Sequence, residues 1–199
     1  MQQTRLKGVR IGVVLTGSHC TIGDVLPQIN KLIAEGAEIY PILSYTVNET
    51  DNRFYEVNEV KEYLNNVTSQ PIINTIVGAE PIGPKKMLDV VIVMPATGNT
   101  IAKMANGIAD TPALMAIKAQ LRNQRPVIIA ISSNDALGVN AQNIGALLNM
   151  KNIFFVPFAQ DDPYGKSTSM VASLRMVVET AICALQGKQI QPLVLGSVK

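Results

Sequence analysis

Val9-Arg10-Ile11-Gly12-Val13-Val14-Leu15-Thr16-Gly17-Ser18-His19-Cys20-Thr21 is the stretch that decides the fold. Val9 to Leu15 is too continuously apolar for a half-exposed strand and matches a strand buried on both faces of a parallel sheet. Thr16 to Thr21 then breaks the run with small polar residues. Beyond it, Ile22, Val25, Leu26, Ile29, Leu32 and Ile33 keep a helical period, which predicts a helix from Ile22 to Glu35 that Gly36 ends. The chain therefore opens with a buried strand, a tight polar loop and a helix.

Working outward, the same alternation continues. Strands are expected over Ala37–Ser44, Pro71–Val77, Val90–Met94, Pro126–Ile131 and Ile153–Phe158. Helices are expected over Glu56–Asn66, Thr100–Asn106, Pro112–Asn123, Asn140–Met150 and Ser169–Gln186, the last ended by Gly187 and Pro192. Tyr45–Tyr55 reads as a loop, Glu80–Pro84 as a turn-rich link and Gln160–Thr168 as a polar segment. Short links between alternating elements imply an α/β fold: a three-layer, doubly wound parallel sheet of Rossmann or flavodoxin type, one domain over residues 1–199. In such sheets ligands bind beyond the carboxyl ends of the strands, where the loops opening at Thr16, Ser44, Pro95 and Ser132 emerge.

Composition narrows the function classes. With 47% hydrophobic and 16% charged residues in 199, the chain has material for a sizeable core, and its low charge suits an oligomer with covered surface. A net charge of +2 without a Lys/Arg run gives no electrostatic footing for nucleic acid or a membrane surface. The longest apolar runs are strand-sized, against the roughly 20 residues that span a bilayer, and the polar Met1–Lys7 leads straight into a strand. Two cysteines, Cys20 and Cys183, and the single His19 make neither a disulfide framework nor a usual zinc set. These features place the chain in the cytosol.

Two loops carry chemistry. Backbone amides around Gly17, with the Thr16 and Ser18 hydroxyls, suit a phosphate at a helix entrance; an ordinary Ser/Thr-capped turn has the same residues. The loop is neither G-x-G-x-x-G nor a Walker sequence, which argues against NAD or ATP here. In Pro95-Ala96-Thr97-Gly98-Asn99-Thr100, small residues admit a flat ring, and Thr97, Asn99 and Thr100 offer donors and acceptors; a capped turn into an amphipathic helix reads equally well. His19 beside Cys20 could be a base and nucleophile, but neighbouring residues rarely face each other productively and no third orienting residue is apparent. The methionines spread over apolar positions read as core filling.

Pro95 to Thr100, with Lys103, Ala105, Asn106 and Gly107 behind it, resembles the P-x-S-x-N-T loop of the homo-oligomeric flavin-containing decarboxylases. That resemblance implies FMN, with Thr16, Gly17, Ser18 and His19 at its phosphate loop, and with Ser44, Thr97, Gly98, Asn99, Thr100, Ser132 and Ser133 among the cofactor contacts. Leu15–Thr21, Ser44–Val47, Ala79–Lys85, Leu121–Val127, Ser133–Gly138 and Phe155–Phe158 together are similar to one branch of that family, the B subunits of dipicolinate synthases. The branch implies oxidation of a dihydrodipicolinate-type dicarboxylate to the aromatic product in the mother cell of a sporulating bacterium. It also implies a partner, the nucleotide-binding A subunit of dipicolinate synthase, with the hydride acceptor open between this FMN and NADP on that partner.

The departures from the wider family are informative. Its cysteine decarboxylases carry a histidine after the second strand and P-x-M-N-x-x-M-W later; here the corresponding Ser132–Gly138 stretch keeps only Asn134 of those residues. Flavin prenyltransferases place an arginine near Ser132 or Ser133, and none stands there. The resemblance therefore implies Asn134 as a substrate-carboxylate contact. Lys166 is a second candidate, in Gln160–Ser167, the segment that closes over substrate in the wider family; a solvated loop is the alternative. Two other functions remain open: a scaffolding partner without catalysis, favoured by the missing histidine, and an FMN-dependent cysteine-type decarboxylase.

Overall fold

The computed structural model describes residues 4–196. Five parallel strands form its frame: β1 (Arg10–Leu15), β2 (Glu38–Leu43), β3 (Val90–Ala96), β4 (Val127–Ser133) and β5 (Ile153–Phe155). β1 pairs with β2 and β3, and β4 with β3 and β5, so the spatial order is 2-1-3-4-5. This is the flavodoxin-like order. Every residue of β3 is buried, as a central parallel strand requires. Two short strands, β6 (Phe158–Ala159) and β7 (Met170–Ala172), extend the sheet antiparallel, β7 running along the carboxyl end of β4 through Ser132 and Ser133.

The helices are α1 (Ile22–Ala34), α2 (Tyr45–Glu49), α3 (Val57–Val67), α4 (Ile76–Ala79), α5 (Gly98–Ala105), α6 (Pro112–Arg122), α7 (Asn140–Leu148) and α8 (Val177–Leu185). α1 and α8 pack together, while α5 packs on α6 and α7, so two helix groups flank the sheet. α1 buries Ile22, Val25, Ile29 and Leu32 at helical spacing, and Gly36, at φ +91°, turns the chain toward β2. Thr111 caps α6 by accepting from the Leu114 amide, with Pro112 in the first turn, where its missing N–H is not needed. Glu56 and Glu59 close a capping box on α3.

Four expectations are corrected. Tyr45–Tyr55 contains the short helix α2 rather than loop alone. Pro71–Val77 is not a strand; it makes one bridge, Ile42 to Ile73, before Thr75 caps α4. Ile153–Phe158 is two strands: the Val156 amide still bonds the Ile129 carbonyl at 2.9 Å, and the ladder stops at Pro157, which has no N–H to donate. Ser169–Gln186 is not one helix: Met170–Ala172 is β7, and α8 begins at Val177. An apolar run as short as Met170 to Val178 satisfies either period, and pairing with β4 decides it.

Candidate functional site

The order 2-1-3-4-5 changes direction between β1 and β3, and in sheets of this kind a ligand crevice forms at that switch point. The chain builds it from three strand ends. Thr16, 1% exposed, donates from its hydroxyl to the Pro95 carbonyl at 2.6 Å and accepts from the Thr97 amide at 3.1 Å, locking the β1 loop to the β3 loop. Thr97 caps α5 by accepting from the Thr100 amide at 3.2 Å. Ser18, Thr21 and Ser132 form a triangle of hydroxyls at 2.7–3.0 Å, so the β1 loop reaches past β3 to the end of β4.

The resulting cleft holds about 840 Å³, within the range of small-molecule and cofactor sites. Gly17, Ser18, His19, Thr97, Gly98, Asn99, Ser132, Ser133, Asn134 and Lys166 all line it, so most of the residues expected from sequence converge on one place. Thr16, Ser44 and Thr100 do not; they stand behind the wall. Thr16 and Thr100 are buried in the cross-links just described. Ser44, whose amide bonds the Leu15 carbonyl, has a buried hydroxyl with no hydrogen-bond partner among the described residues.

Gly98 sets how closely α5 approaches the β4 loop. A Cβ there would lie 2.5 Å from Asp135 Oδ1 and 2.7 Å from both Asn140 Nδ2 and Ser133 Oγ. Those three form a network: Ser133 donates to Asp135, Asn140 donates to its other carboxylate oxygen at 2.7 Å, and Asn143 donates to Asn140 at 2.8 Å. On the far wall, Lys166 lies 3.5 Å from Asp161, whose carboxyl is held below its usual range by a hydrogen bond from Ser169, with the Lys166 charge adding to it. The β6–β7 loop is tied down by Thr168, which donates to the Asn134 carbonyl at 2.6 Å and accepts from the Leu137 amide at 2.9 Å.

Sequence reasoning missed Arg53 and Phe54, which also line the cleft, and the residues that fix their turn. His19 Nδ1 lies 2.8 Å from the Tyr55 hydroxyl and 3.1 Å from Asn52 Nδ2. No periodicity or motif marks that turn; only its closeness in space to His19 does. Asp135 was missed as well, although it sits directly after Asn134. Among the described residues no helix is long and apolar enough to cross a membrane, and no group of three His, Cys, Asp or Glu could hold a metal.

A three-layer sheet of order 2-1-3-4-5, with a crevice at its switch point and small residues where a flat ring could lie, is the architecture of flavodoxin-like proteins. The Flavoprotein family model matches residues 1–182, and the chain belongs to that family. It is 48% identical over 190 residues to the dipicolinate synthase B subunit of Bacillus subtilis (strain 168), covering 96% of this chain and 95% of that one. The crystal structure of the dipicolinate synthase B subunit from Bacillus halodurans C superposes with a TM-score of 0.89 at 45% identity, covering 96% of this chain and 98% of that one. The FMN binding protein AtHal3 shares the fold at a TM-score of 0.64 and 16% identity, covering 88% and 95% of the two chains.

Proposed function

We propose that this chain binds FMN in the cleft and serves as the B component of a dipicolinate synthase. With the nucleotide-binding A subunit of that enzyme it oxidises dihydrodipicolinate to dipicolinate during sporulation. The observation that carries the reading is the convergence of the β1, β3 and β4 loops on one cleft at the switch point. Similarity to two dipicolinate synthase B subunits supports the reaction, and the FMN named for AtHal3 supports the cofactor. The residues present fit a flavin. Gly17 and Gly98 add no side chain to the cleft, and Ser18, Thr97, Asn99, Ser132 and Ser133 line it with neutral hydroxyl and amide groups.

Gly17 and Ser18 would hold the phosphate, and Thr97, Gly98 and Asn99 the ring, with Thr16 and Thr100 bracing that loop from behind. Bound flavin supplies two-electron acceptance, the chemistry that side chains lack. Asn134, with Lys166 across the cleft, would hold a substrate carboxylate: an amide donor that keeps its charge state at any pH, and a cation already partly screened by Asp161. Aromatisation drives removal of the substrate's hydride and proton, so the chain needs no strongly shifted acid or base. NADP on the partner remains an alternative hydride acceptor. The chain is read as one domain in a cytoplasmic homo-oligomer, which would cover Val77 and Val139, each 75% exposed.

The test is dipicolinate formation from dihydrodipicolinate with the purified A subunit, with FMN present and removed. FMN-dependent product formation is expected, with Asn134→Ala raising KM about tenfold while FMN stays bound. Product formation indifferent to FMN would instead make this chain a scaffold for its partner.

A further inference from the structure

Asn52 Oδ1 accepts the Phe54 amide at 3.0 Å, which turns the Asn52 Nδ2 toward His19 Nδ1. The Tyr55 hydroxyl faces the same nitrogen, and burial pushes its pKa up, so it keeps its proton at neutral pH. A proton on Nδ1 would set N–H against N–H. Nδ1 is therefore the acceptor, and the ring proton sits on Nε2. Nε2 makes no hydrogen bond among the described residues. The same turn carries Arg53 into the cleft beside the Gly17–Thr21 loop. Arg53 Cζ lies 4.7 Å from the centroid of the Phe54 ring, a contact that directs the guanidinium without using its donors.

Every other full charge lining the cleft is answered. Lys166 faces Asp161, and both oxygens of Asp135 are hydrogen-bonded. Arg53 makes no ion pair among the described residues. We propose that Arg53 and the His19 Nε2–H form a receptor for a phosphate monoester at the Gly17–Ser18 end of the cleft, with Asn52 and Tyr55 as positioning residues that set the His19 tautomer. The inference rests on the FMN reading above, and the phosphate is that of FMN. An arginine fork matches two phosphate oxygens, and an imidazole with its proton on Nε2 adds one more donor.

The experiment titrates FMN and riboflavin separately into the wild-type protein, Arg53→Gln and Tyr55→Phe, following flavin fluorescence. Riboflavin has the same ring and no phosphate. Arg53→Gln is expected to raise the Kd for FMN about tenfold or more and to leave that for riboflavin unchanged. Tyr55→Phe gives a smaller loss, again for FMN only. Equal losses for both flavins, or none for FMN, overturn the receptor. Weakened binding of dipicolinate to FMN-loaded Arg53→Gln, with FMN affinity intact, would assign Arg53 to a carboxylate and overturn it also. Wild-type protein that binds neither flavin refutes the FMN reading and the receptor's ligand with it. The tautomer has its own readout, because the chain has a single histidine. A nitrogen NMR spectrum at neutral pH should show Nδ1 bare and Nε2 protonated; the reverse tautomer, or an imidazolium, contradicts it.

Discussion

The two ends of the sheet treat charge in opposite ways. At the amino ends of the strands, Arg10 closes on Asp89 through Nε at 3.0 Å, Nη2 at 2.8 Å and its backbone amide at 3.0 Å, and Arg125 adds a contact at 3.3 Å. Nearby, Arg5 bridges Glu35 at 2.6 Å and Glu179 at 2.7 Å. At the carboxyl ends the polar groups lining the cleft are mostly hydroxyls and amides, and Arg53 makes no ion pair among the described residues. Saturated ion pairs hold strands in register but offer nothing to a ligand. Neutral donors, and a cation without an ion pair among the described residues, cost some stability and leave valences for an anion and a polar ring.

The largest test of this contrast is Gly98→Val at the carboxyl end. The new side chain would drive into Asp135, Asn140 and Ser133, and stability should fall by about 3 kcal/mol, read by urea unfolding, with flavin binding lost. A neutral outcome would mean the β4 loop is not held against α5. Next comes Asp135→Ala, which strips the acceptor from Asn140, 6% exposed. A loss of about 2 kcal/mol is expected from the unpaired buried amide.

At the amino end, Asp89→Asn should cost about 1 kcal/mol at neutral pH, the pair being discounted for side-chain exposures of 30% and 34%. The Arg10 hydrogen bond, with its charge and that of Arg125, holds the Asp89 carboxyl below its usual range. Its contribution is thus complete above the unfolded carboxylate's pKa of about 3.9 and disappears as pH falls through the lower folded value. Wild type and Asp89→Asn should therefore converge in stability as the medium is acidified, and a gap that persists in strong acid would contradict the assignment. The smallest effect is Lys166→Met: its 3.5 Å contact with Asp161 is exposed, and unfolding should change by less than about 0.5 kcal/mol while dicarboxylate binding weakens.

The sheet was legible in sequence where strands are buried on both faces, because runs such as Val9–Leu15 and Val90–Met94 admit few other readings. The cleft was legible where loops follow those strands directly, as at Gly17 and Gly98. β7 was not, since three residues carry too little period and take their state from Ser132 and Ser133 across the ladder. Arg53 and Asn52 were not, because their importance comes from His19, more than thirty positions away in the chain. Ser44 and Thr16 stood out as polar residues at strand ends, but only packing shows that neither lines the cleft.

The most direct measurement is the absorbance spectrum of the purified protein before and after adding FMN, with Ser18→Asp and Asn99→Asp alongside. The account expects a bound-flavin spectrum in the wild-type protein that is lost in both variants, because each sets a negative charge where the phosphate or the ring would lie. A wild-type protein that stays colourless and takes up no added FMN would contradict a flavin site at the β1–β3 switch point.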